Sequence, residues 1–172
     1  MIDIKCMYAY YRRIYTFSQS QIKQIMPSDT QPQACNCLAL RQAARHVTQF
    51  YDQFLAPTGL RTTQFSILAK LNRLGPMTIN TLAGHLVMDR TTLGRNILPL
   101  ERDGLITIET GTTDRRCKEL HLTNAGSRRF GAALTLWTKA QSQFEGAFGK
   151  NRALNLRSEL RAVVTSELEM AP

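Results

Sequence analysis

Thr110-Gly111-Thr112-Thr113-Asp114-Arg115-Arg116 is a polar loop between two short β-like segments. Leu105-Ile106-Thr107-Ile108-Glu109 precedes it and Lys118-Glu119-Leu120-His121-Leu122 follows it. Upstream lie two short helical patterns separated by a tight break. Thr78 is placed to cap the first, which carries Ile79, Leu82, Ala83 and Leu86. Asp89 is placed to cap the second, which runs through Arg102 with Leu93, Ile97 and Leu100 facing inward. Gly104 suits the C′ position of that helix. Pro99 removes the amide bond to the Arg95 carbonyl and is expected to bend the last turn, leaving the first turns untouched. Two short helices followed by a hairpin with a basic tip is the pattern of a winged helix-turn-helix. Its second helix suits the DNA major groove, and its arginine-tipped hairpin suits the phosphates or minor groove alongside.

Working outward, Leu40, Ala43, Val47, Phe50 and Phe54 recur at helical steps, and Tyr51 and Leu55 widen that stripe. Pro57-Thr58-Gly59 ends the helix. A second helix is expected over about Thr62 to Leu74, with Phe65, Leu68, Leu71 and Leu74 inside, and it stops at Gly75-Pro76. Beyond the hairpin, Thr123 caps a long helix bearing Phe130, Leu134, Trp137, Gln141, Phe144 and Phe148. Gly149 breaks it, and a last helix holds Leu156, Leu160, Val163, Val164 and Leu168. The expected fold class is mainly α with a small β-wing: a winged helix-turn-helix lobe over about 60–123, plus a helical dimerisation lobe. The dimerisation helices are expected at about 35–56 and 124–170, inside a domain covering 34–172.

These outer helices carry more apolar surface than a small wing-and-helix module can cover. A homodimer follows as an expectation, with Trp137, Phe144 and Phe148 supplying interface area. Residues 1–33 differ from the rest. Tyr8, Tyr10, Tyr11 and Tyr15 crowd the first half, and Pro27-Ser28-Asp29-Thr30-Gln31-Pro32 reads as a linker. That N-terminal extension is a mobile arm, a docking helix or an upstream start-site artefact.

The formal net charge of +9 favours a polyanionic partner. The excess is spread along the chain, so charge alone marks no DNA face. No apolar run reaches the roughly 18–20 residues of a membrane span, so no membrane partner is expected. The start, Met1-Ile2-Asp3-Ile4-Lys5, lacks the pattern of a secretory signal, and Cys6, Cys35, Cys37 and Cys117 have no framework spacing. A cytoplasmic protein with reduced thiols is expected. Enzyme readings lack parts: there is no phosphate-binding glycine loop, no paired catalytic carboxylates and no nucleophile elbow. No cofactor is implied. Cys35-Asn36-Cys37 has no second pair to complete a tetrahedral site, and His46, His85 and His121 lie on separate elements, so no metal site is expected.

The order of long helix, three helices, wing and two long helices resembles the MarR family of dimeric bacterial transcriptional regulators, over about residues 35–170. The matching stretches are Met88-Asp89-Arg90-Thr91-Thr92-Leu93, Leu100-Glu101-Arg102-Asp103-Gly104-Leu105-Ile106, and Asp114-Arg115-Arg116 followed by Leu122-Thr123-Asn124-Ala125-Gly126. DNA contacts are then expected from Arg90, Thr91, Thr92, Gly94 and Arg95 on the recognition helix. Arginine binds guanine O6 and N7 bidentately, threonine meets a thymine methyl or a phosphate, and Gly94 lets the backbone come close. Arg115 or Arg116 would enter the minor groove or pair with phosphates, with Asp114 orienting one of them.

The resemblance implies phenolic or other aromatic effectors, for which Arg41, Arg45 and His46 are candidate polar anchors. The segment from Cys37 to Tyr51 also resembles the peroxide-sensing OhrR branch, whose reactive cysteine occupies the place of Cys37. Arg41 and Phe65 stand where that branch carries tyrosines, which argues for an inert thiol. Cys117, among the basic residues of the wing, is read as a cysteine without a role. Three functional readings remain: a repressor released by a small ligand, a repressor released by oxidation of Cys37, and a basic architectural protein that binds DNA without sequence choice.

Overall fold

A computed structural model describes residues 35–111 and 116–167. The N-terminal extension, Asp114, Arg115 and Leu168 lie outside the described residues. The first helix, α1 (Asn36–Leu55), runs through the boundary between two compact units, which falls after Ala44. The described part of the first unit is the opening turns of α1, and Cys35 to Ala44 are exposed throughout.

The second unit begins with the remainder of α1, where the buried residues are Tyr51 and Leu55. Val47, Phe50 and Phe54 are only half-buried, and Leu40 and Ala43 are exposed, so the expected stripe is displaced. Periodicity identifies the apolar side of a helix but not which neighbour covers it. Here the cover begins one turn later. A short 3₁₀ turn, Ala56–Thr58, leads to α2 (Thr62–Leu74). The Asp52 carboxylate accepts from both the amide and the hydroxyl of Thr62 at 2.6 Å, tying the start of α2 to the end of α1. Phe65, Ile67, Leu68 and Leu71 are buried, whereas Leu74 is 44% exposed because the helix ends there and the chain turns away at Gly75.

A two-residue strand, β1 (Met77–Thr78), comes next, then α3 (Ile79–Leu86) and α4 (Arg90–Arg102). The hairpin strands are β2 (Ile106–Thr110) and β3 (Lys118–Leu122). The sheet order is β1-β3-β2, all antiparallel, with Met77 opposite Leu120 and Ile108 opposite Leu120 on the other edge. Strand β1 has no sequence signal because two residues cannot display alternation. It exists because β3 offers it a free edge. The Gly111 amide donates to the Cys117 carbonyl at 2.8 Å and closes the base of the wing loop.

Two helices complete the chain, α5 (Asn124–Phe148) and α6 (Lys150–Thr165). The core joins Ile67 and Leu68 of α2 to Leu82 of α3, Leu93, Ile97 and Leu100 of α4, and Ile106 and Leu120 of the wing. Each such side chain contributes about 1.5–3 kcal/mol by leaving water.

Trp137 stacks on Phe65 at 6.0 Å, and Phe130 stacks on the same ring at 5.3 Å, so part of the Trp137 ring is covered within its own chain while the residue stays half-buried. Phe144 likewise meets Tyr51 at 6.4 Å and Phe148 at 5.5 Å. A polar chain crosses these helices: the Tyr51 hydroxyl donates to Gln141 at 2.6 Å, Gln141 donates to Glu145 at 2.7 Å, and Arg157 donates to Glu145 at 3.1 Å. Burial, and then the nearby Glu145 charge, push the Tyr51 hydroxyl above its ordinary pKa. The hydrogen bonds from Gln141 and Arg157 hold Glu145 below its own.

Candidate nucleic-acid interface

The helix-turn-helix is formed by α3 and α4, and both helix starts are fixed by local caps. The Thr78 hydroxyl accepts from the Thr81 amide at 3.2 Å. Asp89 accepts from the Thr92 amide at 2.8 Å, which starts the recognition helix where the sequence places it. Hydrogen bonds from Thr92 hold the Asp89 carboxyl below the ordinary carboxylate range. The cap is therefore complete above that range and weakens as pH falls through the lowered value.

At the far end, the Leu105 amide donates to the Leu100 carbonyl and the Gly104 amide to the Glu101 carbonyl, both at 2.9 Å. These two bonds are a Schellman motif, which needs the left-handed backbone seen at Gly104, φ +68°. Leu105 is therefore a capping residue with its side chain in the core, and β2 begins one residue later than expected. Pro99 sits inside α4 without ending it.

Val87 occupies the turn between α3 and α4 with φ +52°, the single non-glycine of positive φ among the described residues. A β-branched side chain in that region is strained. It is also 71% exposed, so no burial offsets the strain. Val87→Gly should raise stability by about 1 kcal/mol, the relief of a left-handed β-branched residue less the entropy glycine loses on folding. A thermal melt checks this, and a lower midpoint in the variant would overturn it.

Successive residues of α4 turn by about 100°. Leu93, Ile97 and Leu100 lie on one side and are buried. Thr91 and Arg95 point the opposite way and are exposed. Arg90 and Thr92 are exposed in the first turn, and Gly94 is half-buried beside it. Asn96 donates to the Thr92 carbonyl at 2.8 Å, so Thr92 is engaged along its backbone in holding the helix start. Arg116 is exposed at the end of the wing loop. Leu98 and Arg102 share the outward face with Thr91 and Arg95. Leu98 belongs to no motif and is easily taken for core material. Its helical phase is the signal that finds it, because Ile97 and Leu100 already fill the inward side.

The effector and redox candidates all lie on α1. Cys37 and Arg41 are exposed in the first unit, and Arg45 and His46 are exposed in the second. Phe65 is buried at 6% exposure, in ring contact with Phe130 and Trp137. Among the described residues, no group of three or more His, Cys, Asp or Glu could hold a metal ion, and no helix is long and apolar enough to cross a membrane.

Residues 60–118 match the family model for the MarR family. The HTH-type transcriptional regulator YwoH of Bacillus subtilis (strain 168) is 31% identical over 91 residues, 53% of this chain and 66% of that protein. The M. tuberculosis transcriptional regulator MosR, solved in complex with DNA, is 34% identical over 78% of this chain and 99% of its own, with a TM-score of 0.66. Bordetella bronchiseptica BpsR, whose DNA binding is regulated by 6-hydroxynicotinic acid, is 18% identical over 83% of this chain and 99% of its own, with a TM-score of 0.71. With residues 60–118 matched by the family model and MosR matched over 78% of this chain at 34% identity, this chain belongs to the MarR family of DNA-binding transcriptional regulators.

Proposed function

We propose that the protein is a homodimeric repressor that holds a pseudo-palindromic operator until a small ligand releases it. The outward face of α4 carries this reading: Thr91 and Arg95 are exposed directly opposite the buried Leu93, Ile97 and Leu100, with the wing following at once. Dimerisation through α5 and α6 is supported by the apolar residues that α6 leaves in water. Only Ala153 of that helix is buried, while Leu154, Leu156, Leu160, Val163 and Val164 are exposed. In such a dimer the two recognition helices must reach successive major grooves about 34–36 Å apart. A ligand bound between the dimerisation and DNA-binding lobes changes that spacing, and by linkage it must prefer the form that cannot bind DNA. An aromatic acid regulates DNA binding on this fold in BpsR. An aromatic ligand with Arg41, Arg45 or His46 as polar anchor is the reading that follows for this protein, acting in the cytoplasm where the operator is.

The test compares two variants on duplexes selected by the wild-type protein from a randomised pool. Arg95→Ala should cost about 1–3 kcal/mol and relax the preference at one position per half-site. Arg115→Ala should weaken all sequences alike and lower the salt slope by about one unit for each phosphate it no longer neutralises. Equal, sequence-independent losses from both would refute base reading by Arg95. A wild-type preference no greater than its non-specific binding would favour an architectural role instead.

A second reading keeps the DNA binding and replaces the ligand by oxidation of Cys37. Its support is that Cys37 is exposed in the first turn of α1, open to an oxidant from solvent. If the thiol is the sensor, peroxide should release operator from wild type and from Cys117→Ser but not from Cys37→Ser. Release abolished only in Cys117→Ser would move the chemistry to the wing. If all three proteins stay on DNA, oxidation is not the signal.

A further inference from the structure

Leu98 is 63% exposed in the middle of the recognition helix. It completes a row, Thr91, Arg95, Leu98 and Arg102, at helical spacings of 4, 3 and 4. That row runs along the face opposite the buried Leu93, Ile97 and Leu100. Packing within the chain does not account for a leucine there. Helix propensity does not either, since alanine, lysine or glutamate would serve an exposed position as well.

The surroundings of Leu98 are specific. With Pro99 it forms the apolar part of an open depression bordered by Arg95, Glu101 and Arg102. Two guanidinium groups on the border suit a polyanion, while the Leu98 methyls need an apolar group that this polyanion presents between its charges. The DNA major groove offers one such group, the 5-methyl of thymine. Leu98 lies three residues beyond Arg95, about 4.5 Å along the helix axis, which is comparable with the roughly 3.4 Å rise of one base step.

On the DNA-binding reading above, we propose that Leu98 is a specificity-determining residue: its methyls pack on the 5-methyl group of a thymine next to the base read by Arg95.

The experiment removes the methyl group from the DNA and the leucine from the protein in turn. Duplexes selected by the wild-type protein from a randomised pool are remade with uracil for thymine, one position at a time, and affinity is measured at fixed salt. Wild type should lose about fourfold at one thymine per half-site, the value of one buried methyl group. Leu98→Ala should lose about as much on the thymine duplex and show no further loss on uracil. Leu98→Gln, which keeps the length but not the apolar end, should behave like Leu98→Ala. Both changes are on an exposed side chain, and a circular dichroism melt verifies that each variant folds.

The sensitive thymine should adjoin the position whose preference Arg95→Ala relaxes. If wild type is indifferent to uracil at every position, or if Leu98→Ala keeps the full uracil penalty, the proposal is wrong and the leucine faces something other than a thymine. If wild type enriches no sequence at all, it is the DNA-binding specificity itself that fails, and the two failures are distinguishable.

Discussion

Gly126→Ala should destabilise the protein by about 3 kcal/mol, although a helix-propensity argument predicts the opposite sign. Gly126 is in the first turn of α5, where alanine would be favoured over glycine by about 1 kcal/mol in an isolated helix. In the folded chain a Cβ at this position falls inside contact distance of the Leu105 carbonyl oxygen and 2.8 Å from Leu122 Cδ1. The Leu122 methyl is the end of a half-buried side chain and can shift, but the Leu105 carbonyl is held in place. The Leu105 carbonyl accepts from the Thr123 amide at 3.1 Å, the Thr123 hydroxyl donates to the Gly104 carbonyl at 2.8 Å with the Leu105 carbonyl 3.1 Å away, and Leu105 itself is the cap of the recognition helix. The Thr123 hydroxyl in turn accepts from the Gly126 amide at 2.9 Å. Recognition helix, wing and α5 therefore meet at one backbone junction, and overpacking of a rigid site costs about 1–3 kcal/mol or more. The urea midpoint of Gly126→Ala should fall well below that of wild type. A midpoint equal or higher would mean that the junction is softer than its hydrogen bonds indicate.

Leu160→Asp combined with Val164→Asp should convert the protein to a monomer and remove most of its operator affinity. The two residues are one turn apart on α6, 39% and 61% exposed, so carboxylates there are solvated in the single chain and should leave its fold intact. In a dimer that covers this face each carboxylate would be buried without a partner, at a cost of several kcal/mol. Loss of the second half-site removes the avidity of a tethered pair, roughly 10²–10⁴-fold. Sedimentation reports the mass and a gel-shift titration reports the affinity. A double variant that sediments like wild type, or wild type that sediments as a monomer, would end the proposal that α6 lies in a subunit interface.

The sequence by itself determined the elements whose ends are local events. Thr78, Asp89 and Thr123 were readable as caps because a short oxygen-bearing side chain just ahead of an apolar repeat satisfies amides that the helix cannot. Gly104 was readable because a residue without Cβ most readily accepts the turn that closes α4. The inward side of α4 was readable because Leu93, Ile97 and Leu100 repeat at the helical period, and that fixed the outward placement of Thr91 and Arg95.

What depended on distant partners was not legible. Strand β1 exists through its pairing with β3, far along the chain, between Met77 and Leu120 among others. The large rings of α5 were readable as apolar but not as partners of Phe65 and Tyr51, against which Trp137 and Phe144 rest part of their area. The necessity of Gly126 is set by a carbonyl brought from the end of the recognition helix. Leu98 shows the same division from the other side: its position in the helical repeat was in the sequence, but that the inward places were already filled, leaving it in water, was decided by tertiary packing. Local hydrogen bonds and periodicity are encoded within a few neighbouring residues. Which surfaces meet, and which are left for DNA, depends on contacts that form only when the whole chain has closed.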